Sequence, residues 1–67
     1  MTDAFLEYRS LLFGIGYRML GSVAEAEDAV QDVYLRWQKD AATDATIRSP
    51  KAWLIATTTR LCIDRLR

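Results

Sequence analysis

The spacing of apolar residues along the chain predicts three helices and no strand. The first helix is expected from about Asp3 to Leu20, because its apolar residues recur at intervals of three and four. This stripe consists of Phe5, Tyr8, Leu12, Ile15, Gly16 and Met19. A glycine inside a helix costs about 1 kcal/mol relative to alanine, so Gly16 within the stripe predicts a close approach by a neighbouring helix.

A short connection separates the first helix from the second. Gly21 is a stop signal, and Ser22 with Glu25 three residues later forms the pattern of a capping box. Two helices joined this tightly are expected to form an antiparallel hairpin. The second helix is predicted to end near Lys39.

The third helix is preceded by a longer loop. Residues 40–49 are mostly small and polar and carry no periodic signal. Ser49 is expected to cap the third helix and Pro50 to be its first residue, where a missing N–H is not needed. The expected fold is therefore all-α, a three-helix bundle with a hairpin of helices 1 and 2 and a longer loop before helix 3.

The second helix has two different faces. Its predicted core stripe consists of Val23, Ala26, Val30, Val33, Tyr34 and Trp37. The opposite side carries Asp28, Gln31, Asp32 and Leu35. A leucine framed by carboxylates favours a docking surface for another protein, although single exposed leucines are also common on ordinary solvated faces.

The third helix also has an apolar and a polar side. Its predicted core stripe is Ile55, Thr59, Cys62 and Leu66, widened by Leu54, Leu61 and Ile63. The other side carries Trp53, Thr57, Arg60, Asp64 and Arg67. Arginines beside an aromatic platform suit single-stranded nucleic acid. Two alternatives stay open: Asp64 could pair with Arg60 and Arg67 in a solvated ladder, and Trp53 could pack on a neighbouring helix.

Composition narrows the class of protein. The 67 residues suffice for one small domain. Residues 22–40 contain five acidic and two basic side chains, whereas residues 48–67 contain five basic and one acidic. This asymmetry predicts two different partners, one of them nucleic acid.

The residue types also argue against several functions. The chain has no histidine and one cysteine, Cys62, which is expected to pack as a small hydrophobic residue. Without a metal-ligand set, a nucleophile beside a base or a glycine-rich phosphate loop, we expect no enzyme activity, metal or cofactor. The first residues do not resemble a signal peptide and no apolar run could cross a membrane, so a cytoplasmic protein is expected.

Three segments resemble region 2 of bacterial sigma factors of the extracytoplasmic-function (ECF) class. The first is Tyr17–Ser22 followed by AEDAVQD at 26–32 and Leu35-Arg36. The second is SPKAWL at 49–54, and the third is RLCIDRLR at 60–67. The resemblance spans the chain apart from the loop. The residues at 17–22 and 60–62 are most similar to the subgroup whose members carry a C-terminal extension resembling a polyketide cyclase.

This resemblance implies a role for the acidic helix. In the family, that helix docks on the coiled coil of the β′ subunit of core RNA polymerase. By resemblance, Asp28, Gln31 and Asp32 would bind polar groups of the coiled coil, and Leu35 would be the apolar anchor. Asp32 stands where the family usually has glutamate, so its reach is shorter.

The resemblance also implies that the third helix and its preceding loop hold the non-template strand of the promoter −10 element. Cationic residues at the helix start would meet phosphates, the loop would receive a flipped base, and the middle of the helix would read the upstream edge. Position 60 is arginine where most of the class has asparagine. The expected DNA-binding residues are Arg48, Lys51, Trp53, Ala56, Thr59, Arg60 and Arg67.

The sequence therefore predicts a transcription initiation factor domain over residues 1–67, cut from a longer chain in which a region 4 domain follows. The resemblance also implies an anti-sigma factor as a possible partner, because such proteins bind this domain in many relatives. One alternative is a helix-turn-helix regulator of duplex DNA, which would need a shorter turn before its recognition helix. The other is a helical module that binds only proteins.

Overall fold

The computed structural model describes residues 4–43 and 49–67, and the side chains of residues 5–40 and 49–67. Within these ranges the chain forms three helices, α1 (Ala4–Leu20), α2 (Val23–Thr43) and α3 (Pro50–Leu66), and no strand. The all-α prediction is confirmed. α2 extends four residues beyond its predicted end, so the expected loop start at residue 40 was wrong. Its last turn is rich in alanine, the strongest helix former.

The turn between α1 and α2 contains the glycine stop and the serine cap that the sequence predicts. Gly21 adopts a left-handed backbone with φ of 70°, which favours glycine, and its amide donates to the Tyr17 carbonyl at 2.8 Å. Ser22 then caps α2, because its Oγ accepts a hydrogen bond from the Glu25 amide at 3.3 Å. This bond is the serine half of the predicted capping box.

The start of α3 also follows the sequence signal. Ser49 has an extended backbone, and its Oγ accepts a hydrogen bond from the Ala52 amide at 3.3 Å. Pro50 is the first helical residue. The N-cap thus fixes where α3 begins.

The core lies where α1 packs against both α2 and α3. Its fully or almost fully buried apolar side chains include Phe5, Leu12, Val30, Val33 and Leu54. Aromatic rings close its edges: the centroids of Phe5 and Tyr34 are 4.8 Å apart, and those of Trp37 and Trp53 are 5.5 Å apart. The apolar stripe predicted for α1 is confirmed, since all six of its residues are buried or half-buried.

Val23 is a correction to the predicted core stripe of α2. Its side chain is 52% exposed, and the first buried residue of α2 is Ala26. Val23 is the first residue of the helix, directly after the turn. Helical spacing alone assigned it to the core face, but the packed part of that face begins one turn later.

The buried residues of α3 differ in part from the prediction. They are Leu54 and Cys62, which were predicted, and Thr58, which was not. The predicted core residues Ile63 and Leu66 are 42% and 60% exposed, so both were wrong. Thr58 can occupy the core because its hydroxyl donates to the Leu54 carbonyl at 2.7 Å, so the polar atom is satisfied within the helix. The predicted stripe passed through the neighbouring Thr59, which is half-buried, and so missed Thr58.

The close approach predicted at Gly16 is confirmed, and it supports a stability prediction. A Cβ at Gly16 would lie 3.3 Å from the Cα of Ala26, whereas a Cβ at Gly14 would meet nothing within 4 Å. Gly16→Val should lower the free energy of unfolding by about 1–3 kcal/mol, because overpacking here pushes against backbone. Gly14→Val should change it by less than about 0.5 kcal/mol. Urea unfolding followed by circular dichroism measures both; equal effects would contradict the close contact.

Candidate functional site

The four predicted docking residues lie together on the outer side of α2. Leu35 is 54% exposed, and the side chains of Asp28 and Asp32 are 65% and 45% exposed. Gln31 is exposed between them. We call these four residues the α2 face. It presents an apolar side chain and two carboxylates next to one another on a helix whose other side enters the core.

An arginine of α3 reaches into this face. Arg65 Nη2 donates to Oδ2 of Asp28 at 3.0 Å and to Oδ2 of Asp32 at 2.9 Å. The hydrogen bond that Arg65 donates to Asp28 is the strongest influence that raises the pKa of Arg65, and the bond that it donates to Asp32 adds to it, while desolvation lowers it. The guanidinium is therefore firmly charged. One positive charge is shared between two negative ones, so the cluster stays acidic.

The predicted DNA-binding residues of α3 differ in accessibility. Lys51, Ala56, Arg60 and Arg67 are exposed, while Trp53 and Thr59 are half-buried. Arg48 lies outside the described residues, as does most of the loop expected to receive a flipped base. Arg60 and Arg67 lie on the side of α3 that carries the partly accessible indole of Trp53, whereas Lys51 lies nearly opposite Arg60 around the helix.

Trp53 packs against α2, which is the alternative to a fully exposed indole that the sequence left open. Its ring lies 5.5 Å from that of Trp37 at an interplanar angle of 58°. The indole is therefore partly used in packing, and only its remaining surface is available to a ligand.

A polar groove of about 140 Å³ lies between α2 and α3. It brings together Trp53 and Arg60 from the predicted set, while Lys51, Ala56, Thr59 and Arg67 do not line it. The complete lining is Arg36, Asp40, Trp53, Thr57, Arg60, Leu61 and Asp64. The groove combines an aromatic wall with two arginines and two aspartates, so its formal charges balance. Such a lining suits a planar polar group that can stack and form hydrogen bonds better than an extended apolar ligand.

The solvated ladder considered for α3 is not formed. Within the described part of the chain, Asp64 pairs with neither Arg60 nor Arg67, and the ion pairs of α3 run from Arg65 to α2. The exposed arginines on this side are therefore not neutralised by Asp64 at contact distance.

Cys62 packs in the core, as expected of a small hydrophobic residue. Burial raises the pKa of its thiol, and the positive charge of Arg65 partly opposes this. The thiol therefore stays protonated near neutral pH, where a thiolate would be the reactive form. The residues that the structure describes contain no cluster of potential metal ligands, and none of their helices is long and apolar enough to cross a membrane.

Comparison with known proteins identifies the family. The family model for Sigma-70 region 2 matches residues 4–67. The chain belongs to this family. It is also 43% identical over 66 residues to the ECF RNA polymerase sigma factor SigJ of Mycobacterium tuberculosis (strain ATCC 25618 / H37Rv), covering 98% of the chain and 20% of SigJ.

Further relatives place this sigma region 2 domain in the ECF class. It is 36% identical over 69 residues to the ECF RNA polymerase sigma factor SigW of Bacillus subtilis (strain 168), covering 97% of the chain and 37% of SigW. It is 34% identical over 67 residues to a protein of M. tuberculosis (strain CDC 1551 / Oshkosh) named as the probable sigma factor SigI, covering 22% of that protein. The chain thus spans about a fifth of SigJ and of SigI. No solved structure gives a significant match.

Sequence reasoning missed two residues of this sigma region 2 domain. Arg65 was assigned to no face, yet it follows Leu54, Thr58 and Leu61 at helical spacing, so this exposed arginine lies at the edge of the packed side of α3. A charged residue in that position signals a partner on the neighbouring helix. Arg36, which lines the groove opposite Arg60, was noted only as part of a motif.

Proposed function

We propose that this sigma region 2 domain binds core RNA polymerase and the −10 element of a promoter, as one part of a longer transcription initiation factor with a region 4 domain. Family membership supports the general role, because the relatives named above are RNA polymerase sigma factors. The role needs no catalytic residue, and the domain would act where the polymerase acts, in the cytoplasm.

The exposed Leu35 carries the docking part of the proposal. Leu35 lies in the middle of an amphipathic helix and is 54% exposed, so about half of this apolar residue is not covered by the domain itself. Covered by a partner, it would be an apolar anchor of the kind that dominates binding energy, with the neighbouring polar residues excluding water and fixing the register. The proposed partner is the coiled coil of the β′ subunit, and Asp28, Gln31 and Asp32 would meet its polar groups.

The groove between α2 and α3 supports the DNA part of the proposal. Arg60 and Trp53 line it from α3, and Arg36 lines it from α2. A base of the non-template strand could lie against the open part of the indole while the arginines meet phosphate oxygens. Lys51 in the first turn of α3 lies where the helix dipole also favours an anion.

The remaining predicted residues complete the proposed DNA surface. Ala56 and Thr59 would border the element at the middle of α3, and Arg67 would neutralise phosphate at its end. Arg48 would meet phosphate near the start of α3, as the resemblance to the family implies; this residue lies outside the described residues.

Arg60→Ala should weaken DNA binding without affecting polymerase binding. Loss of an arginine contact to base or phosphate costs about 1–3 kcal/mol. Fluorescence anisotropy would compare wild type and variant, each alone and bound to core RNA polymerase, on a random-sequence single-stranded library and on its duplex form. Arg18→Ala is the matched control, since Arg18 is an exposed arginine of α1 outside both proposed surfaces.

The outcomes separate the three functions considered. A preference for single strands that is lost in Arg60→Ala supports the sigma factor proposal. Stronger binding to the duplex by the chain alone would favour a helix-turn-helix regulator. Binding to neither form would favour a module that binds only proteins. A protein partner such as an anti-sigma factor would remain compatible with the first result.

A further inference from the structure

The contact between Arg65 and the α2 face leaves part of each carboxylate available. One guanidinium nitrogen, Nη2, serves both residues, and it uses only Oδ2 of Asp28 and Oδ2 of Asp32. Neither Oδ1 accepts a hydrogen bond from any described residue. A carboxylate oxygen that remains open can accept a hydrogen bond from a partner while Arg65 stays in place.

The exposures show that both aspartates remain accessible while the ion pairs are formed. The side chain of Arg65 is 28% exposed, compared with 65% for Asp28 and 45% for Asp32. About half or more of each aspartate side chain is therefore open to a partner with Arg65 in place.

Arg65 offsets the repulsion between Asp28 and Asp32 and restricts the directions in which they point. They are four residues apart on one helix, where like charges repel. Without Arg65 each side chain would turn away from the other and sample several rotamers. A partner would then have to order both side chains on binding, which lowers affinity.

We propose that Arg65 is a positioning residue for polymerase docking, which holds Asp28 and Asp32 in the arrangement that the polar and basic groups of the β′ coiled coil meet. This inference rests on the proposed docking function of the α2 face. It gives α3 a role on the docking side of the domain in addition to its proposed role in DNA binding.

The test is the affinity of the full chain for the isolated β′ coiled coil, measured by calorimetry at low salt. Arg65→Gln should raise Kd about two- to fivefold, a size typical of interactions between partly exposed charges. Arg18→Gln, which removes an exposed arginine of α1, should leave Kd unchanged. Circular dichroism would confirm that all variants are folded at the temperature used.

Two further measurements separate positioning from a general structural effect. The effect of Arg65→Gln should be smaller in an Asp28→Asn background, because part of what Arg65 positions is already absent. Arg65→Lys should recover part of the affinity, since it restores the charge without the planar fork. The difference between wild type and Arg65→Gln should also shrink as salt is raised.

Each other outcome has a definite meaning. Tighter binding by Arg65→Gln would show that Arg65 competes with the partner and would overturn the inference, as would an unchanged Kd. An equal effect in the Asp28→Asn background would place the action of Arg65 elsewhere and would also overturn it. If the folded wild type does not bind the coiled coil, the docking proposal itself fails, independently of Arg65.

Discussion

Replacing Leu35 by aspartate is expected to abolish binding to the β′ coiled coil and to leave the fold intact. Leu35 is 54% exposed and lies outside the core, so the helix loses little when it is changed. At the interface the same change removes the proposed apolar anchor and adds a third carboxylate beside Asp28 and Asp32. Loss of such an anchor typically costs 2 kcal/mol or more, and an unpaired desolvated charge adds to it, so Kd should rise about a hundredfold or more.

Calorimetry with the isolated coiled coil would measure this effect. Leu6→Asp is a matched control, because Leu6 is 62% exposed on α1 and belongs to neither proposed surface. The control should bind like wild type, which would show that an added negative charge alone is tolerated. Two results would count against the prediction. If Leu35→Asp unfolds, Leu35 is needed for the core; if Leu35→Asp binds like wild type, Leu35 is not an anchor of the proposed interface.

The helices were predictable because their signals are local. The stripe of α1, the glycine at its end and the two serine caps all depend on residues within one or two turns of each other. The errors arose where tertiary packing decides. Val23 has the spacing of a core residue but precedes the packed part of α2, and Thr58 is buried because its hydroxyl bonds within the helix.

The two proposed surfaces were predictable to different extents. The α2 face follows from helical spacing alone, because its residues lie on one helix and point away from the core. The contacts of Arg65 to Asp28 and Asp32 span 37 and 33 positions, so they depend on how α3 lies beside α2. The complementary charges of the two helices were visible in the sequence, but which arginine meets which aspartate was not.

This packing lets one helix serve both proposed surfaces. Arg60 and Arg65 are five residues apart in α3, which corresponds to a rotation of about 140° around the helix axis. One lines the groove proposed for DNA, and the other bonds to the α2 face. In a domain this small, a change at either arginine should therefore be tested for its effect on both kinds of binding.

Leu12→Ala is expected to cause a large loss of stability. Leu12 is fully buried in α1, the helix that packs against both others, and its removal would leave a cavity at the centre of the core. Leucine-to-alanine changes at such sites cost about 2–5 kcal/mol, which is a large share of the roughly 5–15 kcal/mol that stabilises a typical domain. The free energy of unfolding in urea, followed by circular dichroism, measures the loss.

The neighbouring residue offers a control for this prediction with the same chemistry. Leu11 is 43% exposed, so Leu11→Ala should lower the free energy of unfolding by less than about 1 kcal/mol, mainly through lost partial burial. The two variants lose the same atoms from the same helix and differ only in which face they change. Similar losses for both would mean that α1 does not pack with the face described here. A large loss for Leu12→Ala alone would show that α1 packs against α2 and α3 with the face that carries Leu12, and that this contact accounts for a large share of the stability of the domain.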